Sequence, residues 1–128
     1  MTYLVDTDWV ASFLNGRTDA QHLFGILTFE EMAISLITYG ELLDGIYYGR
    51  NPQQSEAIFR TFLRGVVVPP LNKPIMERFA LIRGDLRRRG QLIGDPDLLI
   101  AATALYHHLT LVTHNTRHFQ RIPGLMLY

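Results

Sequence analysis

The sequence predicts a three-layer α/β/α sandwich built on a short, mainly parallel sheet of four or five strands. Three observations predict it. The candidate strands (TYLV, MAISL, VVV, LTLV) are short and apolar on both sides, as strands covered on two faces must be. Segments with apolar residues at helical spacing lie between them. The two kinds of segment alternate along the chain, the order that carries parallel strands through crossover helices.

Taken in order, Thr2–Val5 reads as the first strand, stopping at Asp6. Asp6 and Asp8 open a helix carrying Trp9, Val10, Phe13 and Leu14 and ending near Asn15-Gly16. Asp19 caps a second helix with Ala20, Leu23, Phe24 and Leu27 on its apolar face. Met32–Leu36 is the second strand, and a third helix runs from about Thr38 to Gly45 or slightly beyond. Pro52–Arg64 carries Ile58, Phe59, Phe62 and Leu63 at helical spacing. Val66–Val68 is the third strand, closed by Pro69-Pro70. Pro74–Arg89 is a helix with Ile75, Phe79, Ile82 and Leu86 inward, and Gly90 ends it. Pro96 to about His108 is a further helix, Leu109–Val112 the fourth strand, and Leu125–Leu127 a fifth at the edge.

Composition bounds the function. A chain of 128 residues with no repeat, linker or low-complexity segment fits one domain, 1–128. Hydrophobic residues at 48% supply a core, and charged residues at 19% exclude disorder. No apolar run approaches the ~20 residues of a membrane span, and no basic segment leads into an apolar signal region. The expectation is a soluble cytoplasmic domain without a membrane partner. With no cysteine, disulfides and thiolate chemistry are excluded. Twelve basic and twelve acidic residues cancel, so net charge gives no pull toward nucleic acid. Of the basic residues only Lys73 is lysine, and the arginine forks that remain suit phosphate and carboxylate.

In an open parallel sheet, ligands collect beyond the carboxyl ends of the strands. Asp6 follows the first strand, and Glu41 lies just beyond the second. Asp95 and Asp97 open the helix that leads into the fourth strand, which Thr113 and Asn115 follow directly. Oxygen ligands on separate segments suit hard cations such as Mg²⁺ and Mn²⁺, which accept few carboxylates and keep several waters. Each acid also has a local structural role open to it. Asp6 or Asp8 can cap the first helix, Thr38-Tyr39-Gly40-Glu41 fits a capping box, and Asp95 before Pro96 fits an N-cap. Caps have no reason to converge on one edge, however, and Asp97 has no capping role once Asp95 holds it.

Three blocks carry a resemblance: YLVDTDWV, ISLITYGELLDGIYYG, and LIGDPDLLIAATALYHHLTLVTHNTRHFQRIPGL. The chain resembles the PIN-domain ribonucleases, most of all the VapC-type toxins of toxin–antitoxin pairs, over nearly its whole length and in the family's order. The resemblance implies a Mg²⁺- or Mn²⁺-dependent endoribonuclease with a PIN-like fold. Its acidic cluster maps onto Asp6, Glu41 and Asp97, the last because the family's acid immediately precedes the LLIAA-like run. Asn115 takes the fourth position. Thr7 and Thr113 are implied as hydroxyl contacts to metal-bound water or phosphate, with Asp95 in a supporting place. Many relatives carry a further acid where this chain has His118, a departure from the pattern. Hydrolysis would leave a 5′-phosphate and a 3′-hydroxyl on an RNA such as tRNA or rRNA. The implied partners are a cognate antitoxin and a second copy in a homodimer, using the aromatic third and fourth helices (Tyr39, Tyr47, Tyr48, Phe59, Phe62).

Two rivals remain at this point. Asp6-Thr7-Asp8 and the later Gly94-Asp95 also fit haloacid-dehalogenase-type phosphatases, although GDPD here opens a helix and follows no strand. A PIN-like module that binds RNA or protein without cutting is the second. A zinc site from His107, His108, His114 and His118 matches no familiar spacing and lacks cysteine. At the end of their helix, His107 and His108 suit its dipole, as do Arg83 and Arg87–Arg89 on the preceding helix.

Overall fold

The computed structural model describes residues 1–128. Strand β1 (Tyr3–Val5) lies between β2 (Met32–Ala33) and β3 (Thr110–Val112) in the order β2-β1-β3, all parallel. The register pairs Leu4 with Ala33 and Leu111, and Val5 with Val112. Because side chains alternate across a strand, this register sorts the core into two halves. Leu4, Ala33 and Leu111 face one layer with Leu86, Leu98, Ala101 and Phe119, while Val5, Met32 and Val112 face the other with Val10, Phe24, Leu42 and Phe59. Leu4 and Leu111 are fully buried, so truncating either to alanine should cost about 2–5 kcal/mol.

The helices supply the two outer layers. On the Val5 side are α1 (Thr7–Leu14), α2 (Thr18–Leu27), α3 (Leu36–Tyr47) and α4 (Pro52–Leu63). On the Leu4 side are α5 (Lys73–Arg88), α6 (Asp95–His107) and the short α7 (Thr116–Phe119), whose Phe119 is buried. A 3₁₀ turn at Phe29–Glu31 precedes β2. No helix is long and apolar enough to cross a membrane.

The expected sandwich is present, with three strands in place of four or five. The outer two shrink to single parallel bridges, Val67 on Ala33 and Leu127 on Leu111. Val67 closes two hydrogen bonds to β2, Ile34 N–H to its carbonyl at 3.0 Å and its own N–H to Met32 at 3.3 Å. Pro69 and Pro70 have no N–H with which to extend that ladder. On the other edge Leu111 N–H donates to Met126 and Tyr128 N–H to Leu111, and pairing stops there.

Three helix starts also move. β2 ends at Ala33 because buried Ser35 becomes the N-cap of α3, its Oγ accepting from Thr38 N–H at 3.1 Å. The expected capping box at Thr38 therefore does not form, and α3 begins two residues earlier. In α6 the cap position falls on Gly94, with Asp95 already helical. In α2 it falls on Arg17, and Asp19 accepts from Ala20 N–H within the first turn. Gly90 follows α5 at φ +67°, the left-handed conformation that suits glycine.

Candidate functional site

The parallel ladder carries Asp6 to the carboxyl edge of the sheet. Its N–H still donates to Val112 O at 2.9 Å, after which the chain turns into α1 with Asp6 as N-cap residue. Its carboxylate is held from two sides, Oδ1 accepting from Thr7 N–H at 2.8 Å and Oδ2 from the Thr113 hydroxyl at 2.7 Å. Thr113 Oγ1 in turn accepts from Asn115 N–H at 2.9 Å. Asp6 is only 8% exposed, and burial pushes its pKa above 3.8 against the pull of those two hydrogen bonds, with the Asp8 charge adding to the rise.

Glu41 arrives from α3. With Ser35 holding the cap, Glu41 is past the first turn and has no capping duty. Its Oε1 instead accepts from Thr7 Oγ1 at 2.7 Å, and Thr7 Oγ1 lies 3.0 Å from buried Thr38 Oγ1. Asp97 projects from the first turn of α6, half-buried. Burial first, then the charges of Asp6 and Glu41, raise its pKa above 3.8, with Asp8 adding to the rise and His118 opposing it. The side chains of Asp6, Asp8, Glu41, Asp97 and His118 thus form one electrostatic cluster.

Of the acids expected at this edge, Asp6 and Glu41 lie near enough to Asp97 for their charges to raise it. Asp95 turns away and pairs with Arg83 Nε at 3.0 Å. Thr7 and Thr113, expected as hydroxyl contacts to metal-bound water or phosphate, donate to the Glu41 and Asp6 carboxylates. The Asn115 amide does not cap α7; its Nδ2 lies 2.9 Å from His118 Nδ1, tying these two residues together beside Asp97. One neighbour escaped the sequence altogether. Trp9 of α1 stacks on His114, with centroids 3.9 Å apart and planes 22° from parallel, next to Asp6 and Thr113. Only a contact distant in sequence reveals that pair.

The histidines separate. His107 ends α6, about 15 Å along the helix from Asp97 at 1.5 Å per residue. His108 is the left-handed C-cap at φ 55°. A four-histidine zinc site has no basis in this arrangement. The aromatic residues of α3 and α4 divide between core and surface: Phe59 and Phe62 are buried, as core packing by residue type suggests, and Tyr47 and Tyr48 are exposed, at 49% and 88%. A groove of about 460 Å³ begins at Thr7 and Glu41 and runs between α1, α3 and α4 to Arg50.

The donor set suits a hard divalent cation. All the acids of the cluster are oxygen ligands, none has an arginine or lysine within 4.0 Å, and Asp97 is raised by burial first and then by the charges of Asp6 and Glu41. No three acidic or histidine side chains converge tightly enough to enclose an ion alone. A cation that retains several waters needs no such cage.

Fold and site together define a class: an α/β domain whose parallel sheet presents unneutralised acids at its carboxyl edge. The chain belongs to the PIN-domain family, whose model matches residues 3–125. It is 32% identical over 127 residues to Ribonuclease VapC1 of Haemophilus influenzae, spanning 98% of this chain and 95% of that protein. It is 33% identical over 95 residues to the tRNA(fMet)-specific endonuclease VapC of Shigella flexneri, spanning 74% and 72%. The crystal structure of VapBC2 from Rickettsia felis bound to a DNA fragment from their promoter matches with a TM-score of 0.90 at 28% identity, covering 100% of this chain and 98% of that one. The phosphatase alternative loses its footing, for Gly94-Asp95 opens α6 and follows no strand.

Proposed function

We propose that this chain is a metal-dependent endoribonuclease, the toxin of a toxin–antitoxin pair, with residues 1–128 acting as one PIN domain. The observation that carries the reading is the cluster of acids without basic partners at the sheet edge of a PIN-family chain. Asp6, Glu41 and Asp97 would hold one Mg²⁺ or Mn²⁺ directly or through water, with Asn115 at the fourth position. When bound, such a cation would supply positive charge to the phosphate and make a bound water more acidic than bulk water.

The protein's own part is positioning. Thr113 fixes Asp6 Oδ2, Thr7 fixes Glu41 Oε1, and both hydroxyls keep the carboxylates in single orientations. Asn115 holds His118 beside Asp97, where many relatives place a further acid. An in-line attack of water that breaks the P–O3′ bond leaves a 5′-phosphate and a 3′-hydroxyl. The naming of a relative as a tRNA(fMet)-specific endonuclease supports a structured RNA, tRNA first among the candidates. Structures of VapBC pairs support a cognate antitoxin as partner. A homodimer and a cytoplasmic location complete the reading.

The test is to incubate purified protein with tRNA and other structured RNA in Mg²⁺, Mn²⁺ or chelator, beside Asp97→Asn. Metal-dependent cuts ending in 3′-hydroxyl, lost in the variant, are the expected result. RNA bound equally well in chelator and never cut would favour the non-catalytic module.

A further inference from the structure

Neither ring of the stacked Trp9–His114 pair hydrogen-bonds to a carboxylate, although the His114 charge reaches Asp6. Trp9 lies three residues past Asp6 and packs against the core beneath α1. His114 follows Thr113, whose hydroxyl holds Asp6, and its ring is exposed. With centroids 3.9 Å apart and planes 22° from parallel, the inner ring braces the outer one against the protein. The outer imidazole therefore presents a flat, backed face to solvent beside the acids. An isolated surface histidine would sample several rotamers; this one is held by a ring that the core itself fixes.

We propose that the Trp9–His114 pair is a base-stacking platform that receives an unpaired nucleobase adjoining the scissile phosphate. The inference rests on the nuclease reading and deepens it, because it assigns two residues outside the acidic cluster to contact with the substrate's base. A phosphate brought to Asp6 and Asp97 carries its neighbouring nucleotide past the exposed face of His114. In a duplex that base is already stacked and paired within the helix, so the platform has nothing to receive. A splayed base offers a π-face of any identity, and such stacking strengthens binding about 5- to 100-fold per base. The platform thus selects for strandedness and leaves sequence choice to other contacts.

The experiment uses the Asp97→Asn chain in Mg²⁺, so that RNA is bound and not cut. Binding of a fluorescein-labelled RNA hairpin with an unpaired loop is compared with that of a fully paired duplex of the same length. Trp9 is the chain's single tryptophan, so its emission reports the platform directly. The expected result is an emission change with the hairpin and none with the duplex. Adding His114→Ala should weaken hairpin binding 5- to 100-fold with little effect on the duplex, and His114→Phe should restore it. Circular dichroism checks that these substitutions at an exposed position leave the fold intact. Hairpin binding unchanged by His114→Ala, or restored by His114→Lys but not by His114→Phe, would overturn the platform, the second result in favour of a charge contact to phosphate. If the platform fails while wild-type protein still cuts the hairpin with metal, the nuclease reading stands. If wild-type protein cuts no RNA with either metal, the nuclease reading fails and takes the platform with it.

Discussion

Two acidic regions of this molecule follow opposite rules. On the outer surfaces of α4, α5 and α6, three acids have partners, Glu56 with Arg60 at 3.0 Å, Asp85 with Arg89 at 2.8 Å and Asp95 with Arg83 at 3.0 Å, while exposed Glu77 stands alone in solvent. At the carboxyl edge of the sheet, Asp6, Asp8, Glu41 and Asp97 have none, although the chain holds as many basic residues as acidic ones. Exposed pairs of the first kind contribute roughly 0–1 kcal/mol each. The second kind costs stability, because like charges repel and half-buried carboxylates lose water. A fold does not keep such a cost by accident when eleven arginines are available to relieve it. Asp95 and Asp97 make the contrast sharpest, since they share one helical turn and fall on opposite sides of the rule.

Asp97→Asn should break the cluster with the largest effect. Activity is expected to fall on the order of 10²–10³-fold, the scale for removing one group that organises transition-state charge. Without metal, the same substitution should raise the melting temperature, because it removes a repelled charge. A variant that is inactive and also less stable would place Asp97 in the structural region instead.

Thr113→Val comes next. It leaves Asp6 Oδ2 and Asn115 N–H without their partner. The expected cost is about 1–3 kcal/mol in urea unfolding. Cleavage should fall about 10–100-fold, as when a support behind a metal ligand is lost. Unchanged cleavage with the stability loss intact would mean that Asp6 needs no fixed orientation.

The pH dependence separates the regions without mutation. In the folded chain Asp6 and Asp97 have pKa values above their ordinary 3.8. Between the ordinary and the raised values the folded state binds more protons than the unfolded one. The contribution of these two groups is therefore fully present below 3.8 and lost as pH rises through the folded values. In chelator, urea midpoints should show that downward trend, and Asp6→Asn with Asp97→Asn should flatten it. Divalent cation should oppose it, because ligand bound only to the native state stabilises that state. A stability trend identical in the double variant would detach it from the cluster.

Much of this was legible in the sequence, and the misses have physical reasons. The strand that stops at Asp6 was readable because aspartate interrupts an apolar run. Glu41 was harder, since Ser35-Leu36-Ile37-Thr38 and Thr38-Tyr39-Gly40-Glu41 both start with a good capping residue, and the point where β2 leaves the sheet chose Ser35. Val66–Val68 has the composition of a strand, yet the prolines behind it allow only one bridge. Asp97 was separable from Asp95 by the motif, while the Arg83 partner of Asp95 lies a helix away and left no local sign. Trp9 and His114 meet only because β1 and β3 are neighbours in the sheet, which no local pattern states.

The smallest expected effect tests the partnered side of the comparison. Asp95→Asn removes one exposed ion pair with Arg83 and leaves the cap of α6 untouched, since that cap is Gly94. Stability should change by less than about 1 kcal/mol, and coupling to Arg83→Gln in a double-mutant cycle should be about 0.2–1 kcal/mol, falling with added salt. RNA cleavage should stay within twofold of wild type, because Asp95 neither faces the acids nor contributes to the raised pKa of Asp97. A large loss of cleavage in Asp95→Asn would mean that Arg83, held by Asp95 at 3.0 Å, belongs to the RNA path. The boundary between the two acidic regions would then have to be redrawn to include that arginine.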